Sequence, residues 1–147
     1  PRPATTGTAV DSAGPVLISP QGRAYPTAES VRTTRDGSVV LGVAWVRDGT
    51  AVARGTVTYT PQGAGVRMTT STPPAGTDLQ LSIFARDPTL GAGTVRDGAA
   101  LARIGRGHAR IDPRKRYGSA YDRVQQRVLV DYPDGAPATV TYGLAQE

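Results

Sequence analysis

The residues whose types and spacing most clearly suggest a chemical role are six basic side chains within one stretch of the chain, residues 103–116. This stretch contains a single acidic residue, Asp112, so its net charge of +5 equals that of the whole chain. Elsewhere, eleven basic and eleven acidic residues balance each other. Such a concentration of charge is typical of a surface that binds nucleic acid, an acidic polysaccharide or an acidic protein neighbour. It is also typical of a solvated face that keeps a protein soluble. The six residues are Arg103, Arg106, Arg110, Arg114, Lys115 and Arg116.

The surroundings of this basic segment give little support to nucleic-acid recognition. Single-stranded nucleic acids bind to aromatic rings on which their bases stack. Only Tyr117 and Tyr121 lie close to the basic side chains in the sequence. No helix-turn-helix, zinc-finger or RNA-binding motif occurs in the chain. A polyanion or an acidic partner therefore remains one predicted ligand among several.

The sequence contains no motif for catalysis. A Ser-His-Asp arrangement would have to use His108, the single histidine, and no Gly-x-Ser-x-Gly elbow is present. The absence of cysteine argues against a zinc site. The Asp-Gly pairs lack the alternating acidic ligands of a calcium loop. A glycosidase-like pair of carboxylates requires no motif and stays an open alternative. We predict a protein that is not an enzyme and has no catalytic residues, metal or cofactor.

The composition favours a single all-β domain. The chain has 147 residues with 18 Gly and 12 Pro, which suits many turns between short strands. Apolar residues make up 38%, too few for two separate cores. No apolar run reaches 18 residues, so no transmembrane span is predicted. We expect one antiparallel sandwich or barrel-like domain of about eight to ten short strands.

The central element is a β-hairpin over residues 38–60. A short apolar run rich in β-branched residues is followed by Asp48-Gly49, a strong signal for a tight hairpin turn. At the end of the returning strand, threonines alternate with larger apolar or aromatic residues. Its Thr56, Thr58 and Thr60 share one face, and Val57 and Tyr59 share the other. The hairpin is therefore expected to have one buried and one solvated face.

Trp45, the single tryptophan, lies in the first strand of this hairpin. Its size favours a role as an anchor of the core. The alternative is an exposed platform on which a ligand stacks. Burial of its side chain distinguishes the two.

The rest of the domain is predicted as strands separated by turns. Residues 16–18 are flanked by Pro15 and Pro20, which is typical of an edge strand or an isolated extended segment. Residues 21–26, 90–95 and 112–120 are expected to be loops. The remaining strands are expected at residues 27–35, 66–70, 78–85, 99–104, 107–111 and 138–144 and in the second half of residues 121–132.

Residues 1–15 are predicted to be an extended N-terminal arm, and residues 16–147 to be the β domain. The arm is rich in Pro, Thr, Ala and Gly, and Val10 is its one large apolar residue. A segment of this composition cannot bury itself and gains order only against another surface. We expect Val10, together with Val16, Leu17 and Ile18, to attach it there.

Three functions are compatible with these features. The first is a structural subunit of a larger protein assembly, such as a virion decoration or capsid-stabilising protein or a surface-filament subunit. In this hypothesis, the arm and the domain surface contact other subunits, and the chain forms a homo-oligomer. The second is a secreted bacterial β-sandwich module that binds polysaccharide, with Trp45 or the tyrosines as platforms. The third is a binder of nucleic acid or another polyanion through residues 103–116. The expected location is the virion, the cell surface or the extracellular space.

Overall fold

The computed structural model describes residues 14–117 and 125–145, and only the backbone of residues 114–117 and 125. These residues form twelve strands that pair antiparallel throughout, so the all-β prediction is confirmed with a somewhat higher strand number. Within the described ranges, no helix is long and apolar enough to cross a membrane. The strands are β1 (Val16–Ser19), β2 (Gly22–Thr33), β3 (Val39–Arg47), β4 (Thr50–Gln62), β5 (Gly65–Thr70), β6 (Asp78–Ala85), β7 (Thr89–Gly91), β8 (Thr94–Asp97), β9 (Ala100–Arg103), β10 (His108–Tyr117), β11 (Gln125–Tyr132) and β12 (Thr139–Leu144).

The strands form one nearly closed, barrel-like sheet. Their order is β10-β11-β6-β1-β2-β3-β4-β5-β12-β9-β8-β7. In this order β9 and β10 lie near opposite ends, yet only residues 104–107 connect them along the chain. A connection this short spans less than about 20 Å. The two ends of the sheet must therefore approach each other, and the sheet curls until it almost closes.

The predicted central hairpin is present as β3 and β4. Asp48 and Gly49 form its turn with φ angles of 50° and 80°. Both values fit the primed turns that match the twist of an antiparallel pair. Along β4, Val57 is fully buried, whereas Thr56 and Thr58 lie on the opposite, solvated face. The prediction of one buried and one solvated face is confirmed.

Trp45 lies in the centre of the core with 1% of its surface exposed. This confirms the anchor interpretation and excludes Trp45 as a stacking platform for a ligand. Around it, the inward-facing side chains of both halves of the sheet form one apolar cluster. Its members are Leu17, Ala24, Val43, Trp45, Val57, Met68, Leu79, Leu81, Val95, Ala102, Ile104, Val128, Val130, Tyr132, Ala138 and Val140.

Several predicted loops are strands instead. Residues 90–95 contribute to β7 and β8, a hairpin closed by a turn in which Gly93 has φ 69°. This hairpin accounts for the excess over eight to ten strands. Residues 112–117 continue β10, which pairs with β11 again at Arg116 and Tyr117 after a register shift between Ile111 and Arg116. Residues 118–120 of the predicted loop lie outside the described residues. The loop predicted at 21–26 is also wrong, since β2 begins at Gly22.

The prediction that residues 16–18 form an edge strand is wrong as well. β1 lies between β2 and β6 and pairs with both. Pro15 precedes the ladder and Pro20 follows it. Neither proline occupies a position that must donate a hydrogen bond within the sheet, so both are compatible with an internal strand.

Candidate functional site

The start of β1 is fastened to the core. Val16 and Leu17 are buried and Ile18 is half-buried. Immediately before them, the carbonyl oxygen of Pro15 accepts a hydrogen bond of 2.9 Å from the Nε1–H of Trp45. Val10, the other residue expected to attach the N-terminal arm, lies outside the described residues.

Gly14 and Pro15, the last two residues of the predicted arm, are buried in the β domain. Gly14 has φ 133°, a value at which a side chain would be strained. A Cβ atom there would lie 3.1 Å from Cγ2 of Val57 on β4. The described chain therefore begins against the buried face of the central hairpin, and residues 14 and 15 pack as part of the domain.

The basic segment is distributed over three elements. Arg103 ends β9, Arg106 lies in the following turn, and Arg110 lies on β10; all three are exposed. Arg114, Lys115 and Arg116 also belong to β10, but their side chains lie outside the described part. His108 is exposed at the beginning of the same strand.

β10 lies at one end of the strand order and pairs with β11 alone among the described strands. An unpaired strand edge can pair with other chains, and proteins limit this with charged residues and proline. Pro113 and the basic residues of β10 occupy such an edge. Protection of the edge is therefore a structural explanation for much of the basic segment.

Arg110 is also engaged within the protein. Its Nε lies 3.5 Å from Oδ2 of Asp131 on β11. Oδ1 of Asp131 accepts a 2.8 Å hydrogen bond from Gln80 on β6, and Gln80 accepts another of 2.8 Å from Arg23 on β2. These polar contacts join four strands across the outside of the sheet. Arg110 is consequently less available to an external anion than its exposure suggests.

Asp112, the one acid of the basic segment, is buried. Its Oδ2 lies 3.3 Å from an Nη atom of Arg127 on β11, and its carboxylate has no exposed surface. Breaking such a buried pair by removing one partner is strongly destabilising, since it leaves a charge uncompensated. We assign this pair to the structure of the β10–β11 ladder.

A cleft of about 360 Å³ opens where the two ends of the curled sheet approach each other, a region we call the seam. β6 lies on one side of the cleft, and β8, β9 and β12 lie on the other. Burial, and then the neighbouring Tyr59, raise the pKa of Tyr142 in its wall to about 12. Asp97, also in the wall, accepts hydrogen bonds from the backbone N–H groups of Arg86 and Asp87. These bonds tie β8 to the end of β6, so the carboxylate of Asp97 is used in holding the seam. The walls are mostly apolar.

Cross-strand pairing creates a further arrangement that sequence reasoning did not find. On the outer face, Thr141 of β12 lies directly between Arg103 of β9 and Arg67 of β5. These residues are far apart in the sequence, and only the register of three strands brings them together. The alternation of threonine with Val57 and Tyr59 at the end of β4 was the one available signal.

No protein family model, curated protein or solved structure matches this chain. Among the described residues, no group of three or more His, Cys, Asp or Glu side chains could hold a metal ion.

Proposed function

We propose that this protein is a non-enzymatic structural subunit of a larger assembly, such as a virion decoration or capsid-stabilising protein or a surface-filament subunit. Its N-terminal arm and the surface of its β domain contact neighbouring subunits, and it forms a homo-oligomer. The virion, the cell surface or the extracellular space is the corresponding location.

The fastening of Pro15 to Trp45 is the observation that supports this proposal most. Thirteen residues precede Gly14, and Val10 is the one large apolar residue among them. Ordering a residue costs roughly 1–2 kcal/mol of backbone entropy, which such a segment cannot offset by itself. Because Pro15 is fixed to the core by a 2.9 Å hydrogen bond, contacts made by this segment would be transmitted to a rigid domain. This is how an arm that links subunits has to be attached.

The proposal is tested by removing residues 1–13, so that Gly14, Pro15 and the contact with Trp45 remain. We expect the truncated chain to melt at nearly the same temperature as the full chain but to lose self-association in light scattering. A second variant with the thirteen residues replaced by a Gly/Ser sequence of equal length should behave like the truncation. The proposal fails if the full chain is monomeric at high concentration, or if both variants associate as the full chain does.

A polysaccharide-binding module is the second candidate. Burial of Trp45 removes one of the two kinds of platform that the sequence suggested for it, Trp45 and the tyrosines. The observation that favours this function is instead the outer face around Thr141, where hydroxyl groups and guanidinium groups alternate. Polyanion binding through residues 103–116 ranks third, because Arg110 is paired with Asp131.

A further inference from the structure

The outer face of the sheet carries an ordered array of hydroxyl and guanidinium groups. Direct cross-strand pairs define its first row. This row crosses five strands that are neighbours in the sheet, in the order β4, β5, β12, β9 and β8. The row consists of Thr60, Arg67, Thr141, Arg103 and Thr94. Paired residues of an antiparallel sheet project on the same side. All five side chains therefore lie on one face.

A second row runs beside the first on the same face. Its members on β4, β5 and β12 lie two residues along the strand from a first-row member, and residues two apart project to the same side. Direct pairing extends the row to β3 and β2. It contains Arg32, Val40, Thr58, Thr69 and Thr139. We call the two rows together the hydroxyl face. Its side chains repeat at about 4.8 Å between strands and about 6.7 Å along them.

The charge of the hydroxyl face is uncompensated. Arg32, Arg67 and Arg103 are exposed, and none of them forms an ion pair or side-chain hydrogen bond with a described residue. Arg54, on the same strand as Thr58, shows the contrast because its Nε lies 3.1 Å from Glu29. Neither row contains a carboxylate. The two rows therefore offer an anionic ligand three guanidinium groups that have no acidic partner among the described residues.

Three threonines of the face have hydroxyl groups that are free to bind, whereas the hydroxyl of Thr60 is hydrogen-bonded to that of Ser38 at 3.0 Å. Thr58, Thr69 and Thr141 are partly exposed, and their hydroxyl groups make no hydrogen bond to the described part of the protein. A threonine hydroxyl both donates and accepts. This dual capacity matches the hydroxyl groups of a sugar, which also do both.

We propose that the hydroxyl face binds an acidic polysaccharide. The carboxylates of the polysaccharide pair with Arg67 and Arg103, which lie two strand spacings apart, or about 10 Å. A guanidinium presents paired donors that fit a carboxylate. Between them, Thr141 bonds the hydroxyl groups of the sugar. Binding at this face does not require the protein to self-associate.

Nucleic acid fits this face less well. Duplex DNA carries a charge about every 1.7 Å, and its binders typically neutralise about six to ten phosphates. The hydroxyl face offers three arginines, and neither row contains an aromatic side chain on which a base could stack. Sparse charge between many hydroxyl groups is instead the pattern of a polyuronate.

The first test compares binding of the full chain to polygalacturonate and to its fully methyl-esterified form, by calorimetry at low salt. The two polymers share a backbone and differ in charge. We expect binding to polygalacturonate that weakens with added salt, and at least about tenfold weaker binding to the ester. Equal binding to the two polymers, no binding to either, or tighter binding to a DNA duplex would overturn the proposal.

The second test locates the site with two double variants that remove the same charge. Arg67→Ala with Arg103→Ala should weaken binding to polygalacturonate by about a hundredfold. Arg106→Ala with Arg110→Ala, at the turn and edge near β10, should leave it within about threefold. The reverse result would place the site on the basic segment and overturn the proposal.

The third test addresses the hydroxyl groups without changing charge. Thr69→Val with Thr141→Val keeps the β-branched shape but removes two hydroxyl groups from the hydroxyl face. We expect binding to polygalacturonate to weaken about tenfold. Thr50→Val, at the exposed start of β4 and eight residues along that strand from Thr58, is the control and should not change binding. Unchanged binding in the double variant would exclude the proposed hydroxyl contacts.

Discussion

The indole Nε1–H of Trp45 donates a 2.9 Å hydrogen bond to the carbonyl oxygen of Pro15, thirty residues earlier in the chain. Both groups are buried. The contact joins the beginning of the described chain to the strand that forms the centre of the core. The single tryptophan thus combines apolar packing with a specific polar contact, which few other side chains could do.

Trp45→Phe tests this contact. Phenylalanine keeps an aromatic ring but has no N–H, so the buried carbonyl of Pro15 loses its partner. Such a loss costs about 1–3 kcal/mol, and the smaller ring adds to it. We expect a clearly lower urea midpoint by circular dichroism. An unchanged midpoint would mean that the hydrogen bond contributes nothing to stability.

The turn of the central hairpin gives a second prediction. Gly49 has φ 80°, where a β-branched residue is strained. Gly49→Val should reduce the free energy of unfolding by about 1–3 kcal/mol. Gly49→Asn is the control, because Asn tolerates positive φ, and should reduce it less. Equal melting temperatures for the two variants would contradict the turn assignment.

A third prediction concerns the contact between β5 and β12. A Cβ atom on Gly65 would lie 1.9 Å from the backbone oxygen of Tyr142, so the two strands would have to separate. Gly65→Ala should therefore destabilise the protein by about 3 kcal/mol or more. Gly143 belongs to the opposing strand and has nothing within 4 Å of such an atom. Gly143→Ala should change stability by less than about 0.5 kcal/mol. Denaturant unfolding of the two variants distinguishes these outcomes.

The buried tyrosines predict a loss of stability at high pH. Burial raises the pKa of Tyr142 to about 12 and also raises that of Tyr132. A tyrosine in the unfolded chain titrates near pH 10. Between about pH 10 and 12 the unfolded state therefore loses protons that the folded state keeps, and stability falls as the pH rises. Below pH 10 these tyrosines do not make the free energy of unfolding depend on pH.

Unfolding measured by urea from pH 8 to 11.5 checks this prediction. Tyr142→Phe should make the decline above pH 10 shallower, while Tyr25→Phe, at a side chain that is 42% exposed, serves as the control. The chain contains a single Lys, so few other groups titrate in this window. A flat profile up to pH 11.5 would contradict the burial of the Tyr142 hydroxyl.

Local signals in the sequence predicted local structure well. Asp48-Gly49 and the alternation of Val57 with its threonine neighbours indicated the hairpin and its buried face. The signals failed where pairing is decided at a distance. β10 extends through its polar residues because β11 pairs with Arg116 and Tyr117, beyond a shift in register that no pattern within the segment encodes.

In the candidate site, too, local signals in the sequence predicted only part of the arrangement. The sequence identified Arg103 by its charge but grouped it with Arg106 and Arg110, its neighbours in the chain. In the structure, Arg103 lies beside Thr141 and shares the outer face with Arg67. Only the insertion of β12 between β5 and β9 produces that arrangement, and the insertion depends on the whole sheet.

This insertion also determines when the protein can finish folding during synthesis. β12 pairs with β5 on one side and with β9 on the other, and its last residue is Leu144. Until that residue has left the ribosome, both partner strands present open edges and the nascent chain cannot complete its core. Such edges are prone to pair with other chains. The emerging protein is therefore most exposed to aggregation after β5 and β9 have left the ribosome and before β12 has followed them.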